Sequence, residues 1–181
     1  AKKAAEQGKY ALAFEPDEAP NTLAGQAAAA GAQWFSAEND KWKVNVSSPE
    51  TAKVSSFWQG VLDSKSALVA NRWDDSFGKA LVDQQLIGTI GAAWEGALLA
   101  DTMKDSPNAG SWAVAQLPAF GDKAMSGPDG GSGVAVLKGC SNPEGAMAFN
   151  DWLNTQVDDL ATQGLVLTAK APVKTPQTIS T

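Results

Sequence analysis

Tyr10-Ala11-Leu12-Ala13-Phe14 is a short apolar run that reads as a buried strand. Glu15-Pro16-Asp17-Glu18-Ala19-Pro20-Asn21 follows as a loop with two prolines and three acids. An alanine-rich helix then runs from about Thr22 to Ala30, with Asn21 as its expected cap and Gly31 as its end. Strand, loop and helix in this order are the unit from which α/β folds are built.

The pattern recurs along the chain. Trp34-Phe35 begins a hairpin-like stretch through Asn39-Asp40, and Trp42, Val44 and Val46 alternate with polar residues as a half-exposed strand. Ser48-Pro49-Glu50-Thr51 is a strong helix start: a Ser cap, Pro at the first helical position and an acid in the first turn. Behind it Val54, Phe57, Trp58, Val61 and Leu62 form one apolar helical face. Phe77, Ala80 and Leu81 mark a further helix, from about Asp74 to Gln85. Ile87 to Ala93 reads as a central strand running into a helix at Trp94-Glu95. Ser111 to Leu117 and Val134 to Leu137 read as strands, separated by a glycine- and proline-rich loop. Asn142-Pro143-Glu144 opens what reads as the longest helix, with Ala146, Phe149, Leu153, Val157 and Leu160 near helical spacing. The expected fold is α/β, a lobe with a small mixed sheet flanked by helices.

Composition narrows the function. The chain has 181 residues, 44% hydrophobic and 19% charged, enough for one core. No apolar run approaches about 18 residues, so no transmembrane helix is expected. The formal net charge is −6 with lysines scattered, which argues against nucleic-acid binding. The one cysteine, Cys140, allows no intrachain disulfide. The absence of histidine removes Ser-His-Asp and Cys-His sites and leaves transition-metal sites short of ligands. Neither a metal nor another cofactor is expected, and no catalytic residue is assigned.

Three stretches, in order, resemble the extracellular solute-binding proteins of ABC importers, the sugar-binding family that includes maltose-binding protein. Ser47-Ser48-Pro49-Glu50-Thr51-Ala52 with Phe57-Trp58 is similar to the family's "D-S-P-E-A" helix. Gln85 to Trp94 resembles its strand and turn ending at a cleft tryptophan, although Ala92-Ala93 stands where members often have Gly-Pro. Gly130-Gly131-Ser132-Gly133-Val134, followed by Lys138 to Ala146, resembles its "G-G-x-G" and "N-P-E-A-A" segments.

The resemblance implies two α/β lobes around a hinge, with a sugar closed between them and a membrane permease reading the closed form. Residues 1–130 would supply the second lobe. Residues 131–181 would supply the hinge crossing, a helix and an extended tail packing toward the first lobe. Both ends read as cut, so the expectation is a fragment of an extracytoplasmic, lipid-anchored parent. Its expected partners are a small-molecule sugar, the N-terminal lobe and the ABC permease subunits. Apolar surface left by the cut would favour self-association.

A sugar needs a flat aromatic face and a few hydrogen-bonding side chains. Trp94 is the leading candidate, at the carboxyl end of the expected central strand and before a helix, where open α/β sheets place ligands. The alternative is a core tryptophan covering the sheet end. In the loop 127–133, Gly130 and Gly131 allow close backbone approach and Asp129 can accept two hydroxyls, unless the loop is an ordinary turn. Asp17 and Asn21 lie in the loop after the first strand, and either Trp34 lines the cleft or it packs the helix. Glu95 paired with Asp129 is the carboxylate pair a carbohydrate-active enzyme would need, the alternative reading beside a lectin-like module. The same fold with a polyamine or a peptide as ligand is a third reading, for which Asp17, Glu18, Asp74 and Asp75 supply acids.

Overall fold

The computed structural model describes residues 2–120, 127–162 and 165. Along the chain run α1 (Lys2–Glu6), β1 (Leu12–Phe14), α2 (Ala19–Ala29), β2 (Phe35–Glu38), β3 (Lys41–Val44) and α3 (Pro49–Asp63). They are followed by β4 (Ala67–Val69), α4 (Asp75–Val82), α5 (Glu95–Met103), α6 (Pro143–Leu153) and α7 (Val157–Thr162). The chain divides into two compact units, Ala1–Gly91 with Thr102–Gly130 and Ala92–Asp101 with Gly131–Thr181.

The first unit is built on β1 and β4, which pair in parallel with Leu12 opposite Ala67 and Phe14 opposite Val69. A single parallel bridge between Tyr10 and Leu86 adds a third segment on the other side of β1. Helices α2 and α3 pack together beside these strands. Trp58 is buried between them: its indole N–H donates to Gln26 Oε1 at 3.0 Å, and its ring meets Phe14 edge-on at 5.3 Å. Val54, Ala27, Ala29 and Ala13 complete that part of the core, and Phe77, Ala80, Leu81 and Leu86 form its α4 side. Asn108 is buried and donates to the Leu81 carbonyl at 2.7 Å, tying its own segment to the end of α4.

Local chemistry explains the element starts. Ser48 Oγ accepts from the Thr51 amide at 3.2 Å, and Pro49 occupies the first turn of α3. Antiparallel β2 and β3 meet at Asn39-Asp40, both with positive φ (51° and 59°), the backbone that a two-residue hairpin turn requires. Phe35 opposes Val44 and Ala37 opposes Trp42, so one hairpin face is apolar, and Trp42 is 78% exposed.

Several expectations need correction. Asn21 does not cap α2: the helix begins two residues earlier, at Ala19, with Pro20 in its first turn and Glu18 at the cap position. Proline's fixed φ makes it a good helix opener, so the chain turns helical before Asn21. Ile87 to Ala93, Ser111 to Leu117 and Val134 to Leu137 are irregular rather than strands. A strand exists through its neighbour, and among the described residues these segments have none beyond the Tyr10–Leu86 bridge. Conversely, Ala67–Val69 is a strand because β1 lies beside it. The helix opened by Asn142 stops at Leu153, because Thr155 Oγ1 and Gln156 Nε2 both donate to the Trp152 carbonyl (2.6 and 3.1 Å). These side chains compete for the group that the next turn would use, and α7 begins afresh.

Within the second unit, the part of α5 from Glu95 to Asp101 starts with a reciprocal cap. Glu95 Oε1 accepts from the Ala92 amide at 2.9 Å, while the Glu95 amide donates to the Ala92 carbonyl at 3.1 Å. Asn142 Oδ1 caps α6 through the Gly145 amide at 2.9 Å. Neither α6 nor α7 has a buried side chain.

Candidate functional site

In the first unit, three segments running parallel end at one edge of the sheet, and each delivers a polar side chain there. Glu15 follows β1 directly, Arg72 comes three residues after β4, and Thr89 comes three residues after the Leu86 bridge. The carboxyl edge of parallel strands is where open α/β sheets receive ligands.

Glu15 and Arg72 are 6% and 4% exposed and form an ion pair through Glu15 Oε2 and Arg72 Nη2. Thr89 Oγ1 donates to Glu15 Oε1 at 3.1 Å, and Arg72 Nη2 also donates to the Ile90 carbonyl at 3.4 Å. Burial pushes the Glu15 carboxyl above its ordinary range, opposed by the attraction and hydrogen bond of Arg72 and by the Thr89 hydrogen bond. The Asp17 charge pushes it up further. Glu15 also lines a small depression together with Phe14, Ala19, Leu23, Trp58 and Ile90.

Asp129 belongs to the same unit and is half-buried. Burial raises its carboxyl as well, with the Arg72 charge lowering it and the Glu18 charge raising it. The edge therefore gathers Glu15, Asp17, Glu18 and Asp129 around one guanidinium. Such a surface accepts hydrogen bonds from ligand hydroxyls or ammonium groups and repels anions.

The other candidates lie as follows. Asn21 is exposed within α2, where its amide donates to Glu18 at 3.5 Å, and Asp17 is exposed. Trp34 is half-buried with its indole N–H given to Thr51 Oγ1 at 2.8 Å, so it ties the hairpin base to the start of α3. Gly130 has φ of 76° and Gly131 of 116°, conformations that glycine accepts readily. Trp94 is half-buried in the turn before α5 rather than at a strand end. Trp94, Glu95 and Gly131 belong to the second unit, while Asp129 and Gly130 belong to the first.

Glu15, Arg72 and Thr89 were not singled out in the sequence. A signal existed: Arg72 is the only arginine in the chain, and Glu15 is the first residue after an apolar strand.

This arrangement defines a lobe of the periplasmic-binding-protein kind, with its polar edge at the carboxyl ends of parallel strands. Neither a family model nor a curated protein matches the chain. Among solved structures, it is similar to the galacto-N-biose/lacto-N-biose I-binding protein of the ABC transporter from Bifidobacterium longum, in complex with lacto-N-biose. The TM-score is 0.87 and the identity 44%, over 97% of this chain and 44% of that one. The chain is thus similar at 44% identity to a solute-binding protein of an ABC transporter, and it spans less than half the length of that protein.

Proposed function

We propose that this chain forms one wall of a carbohydrate-binding cleft in an extracytoplasmic, lipid-anchored solute-binding protein that presents a mono- or oligosaccharide to an ABC permease. The observation carrying this reading is the 44% identity, over 97% of the chain, to a protein whose name gives a disaccharide ligand. The acidic side chains of Asp17 and Asp129 support it, because sugar hydroxyls are donors that carboxylates can take up. Trp94 supplies the aromatic face, with Gly130 and Gly131 giving backbone access. Residues 1–130 act as the second lobe and 131–181 as the return toward the first; a unit boundary between Gly130 and Gly131 supports that split, while Ala92–Asp101 groups with the later residues.

A glycosidase reading has less support. Glu95 is 2% exposed, with one oxygen held by the Ala92 amide as a helix cap. The test is an NMR titration of the chain with lacto-N-biose, using spermidine and a short peptide as comparators. Weak, millimolar perturbation of the Trp94 indole and of residues 127–131 by the sugar is expected, because one wall makes only part of the contacts. No perturbation by any saccharide, or perturbation by spermidine alone, overturns the sugar.

A further inference from the structure

The segment that carries Asp129 rests on α2 backbone against backbone. A methyl group at Gly25 would collide with the Pro128 carbonyl oxygen, stand 3.3 Å from its carbon, and lie 3.9 Å from Asp129 Cβ. A methyl group at Gly127 would collide with the Gly25 carbonyl oxygen and stand 2.6 Å from its carbon and 2.9 Å from Gly25 Cα. Real side chains do not tolerate such separations from backbone atoms, which have no rotamer by which to move aside.

Gly25 is buried in the middle of an 11-residue helix. Glycine there costs about 0.5–1 kcal/mol relative to alanine in helix stability. Gly60, inside α3, shows the contrast: a methyl group there would meet nothing within 4 Å. Gly25 therefore has a steric reason to be glycine that Gly60 lacks. Its consequence is local, because Asp129 follows the contact directly and lies within reach of the Arg72 and Glu18 charges.

We propose that Gly25 and Gly127 are positioning residues: their backbone contact seats the 127–129 segment on α2 and so holds the Asp129 carboxylate at the carboxyl edge of the parallel strands. The role of that carboxylate toward a hydroxylated ligand rests on the sugar-binding reading. The seat itself does not.

The primary test is a carbon-detected NMR titration of Asp129 in the unmutated chain, in Gly25→Ala and in Gly127→Ala. In the unmutated chain Asp129 should titrate above its ordinary range, and in both variants it should drop back toward that range while Glu15 keeps its own midpoint. An Asp129 titration unchanged in both folded variants overturns the seat. Cross-relaxation between the Gly25 α-protons and Gly127 in the unmutated chain is independent of how well the variants fold, and its absence overturns the seat too.

Lacto-N-biose provides a double-mutant cycle. Asp129→Asn and Gly127→Ala should each weaken binding about tenfold, the scale of one charged hydrogen bond, and the double variant should lose no more than Asp129→Asn alone. Additive losses overturn positioning through Asp129. If no saccharide binds the unmutated chain, the sugar reading fails, while titration and cross-relaxation still decide the seat.

Discussion

Helices α3 and α6 open with the same local chemistry and end in different environments. Ser48-Pro49-Glu50 and Asn142-Pro143-Glu144 both place a capping side chain, a proline and an acid in the first turn, and both caps accept from an amide three residues on. Yet α3 buries Val54 and Trp58, whereas α6 buries nothing and leaves Met147, Phe149 and Trp152 half exposed or more. Where a helix starts is thus settled by adjacent residues, but which face it buries is settled by partners distant in sequence. Trp58 is buried because Gln26 and Phe14 meet it from 32 and 44 positions earlier. Among the described residues, the Phe149–Trp152 pair, with ring centroids 5.6 Å apart, has its ring contact within its own helix turn.

Substitutions can break this contrast. Trp58→Ala should cost about 3–5 kcal/mol in denaturant unfolding, combining lost burial with a cavity and an orphaned Gln26. A cost below 1 kcal/mol would mean that α3 is no better buried than α6. Arg72→Met should cost a similar amount, about 3–5 kcal/mol, because it leaves the Glu15 carboxylate buried without its counter-charge. Glu15→Gln in the same background should recover part of that loss, and no recovery would count against the pair.

Smaller effects sharpen the comparison. Ser48→Ala and Asn142→Ala should each remove about 1 kcal/mol of helix stability, the usual worth of such a cap. In α3 the loss should appear in global unfolding, and in α6 as faster local amide exchange. Equal global losses would show that α6 is coupled to a core as tightly as α3. Asp129 adds a pH signature. Its folded carboxyl is raised above the ordinary 3.8, so between that value and its folded midpoint the folded chain holds more protons than the unfolded one. Stability from Asp129 must then fall as pH rises through this window. Asp129→Asn should flatten the decline in a series of thermal melts, and an unchanged slope would remove Asp129 as its source. Least affected should be Trp152→Ala, within about 0.5 kcal/mol of the unmutated chain.

The legible part of the sequence follows the same division. The α/β class, the starts of α3, α5 and α6 and the buried role of Trp58 follow from local signals: caps, proline placement and helical spacing. Strands were less legible. Ser111 to Leu117 has β-forming residues without a neighbour, and Ala67–Val69 gains its ladder only from β1, more than fifty residues earlier. At the site, Asp129 and Asp17 stood out as acids in loops. Glu15, Arg72 and Thr89 did not, because their chemistry arises where three segments end together, and no spacing along the chain encodes that meeting.

The solitary arginine has a practical corollary. An arginine-specific protease has one target bond in this chain, Arg72–Trp73, and its recognition side chain is buried in the Glu15 pair. Cleavage must wait for the sheet edge to open, so with opening and closing faster than the cut, the rate of appearance of two fragments counts the open population. The chain thus carries a built-in gauge of how often this sheet edge comes apart, read on a gel without any label.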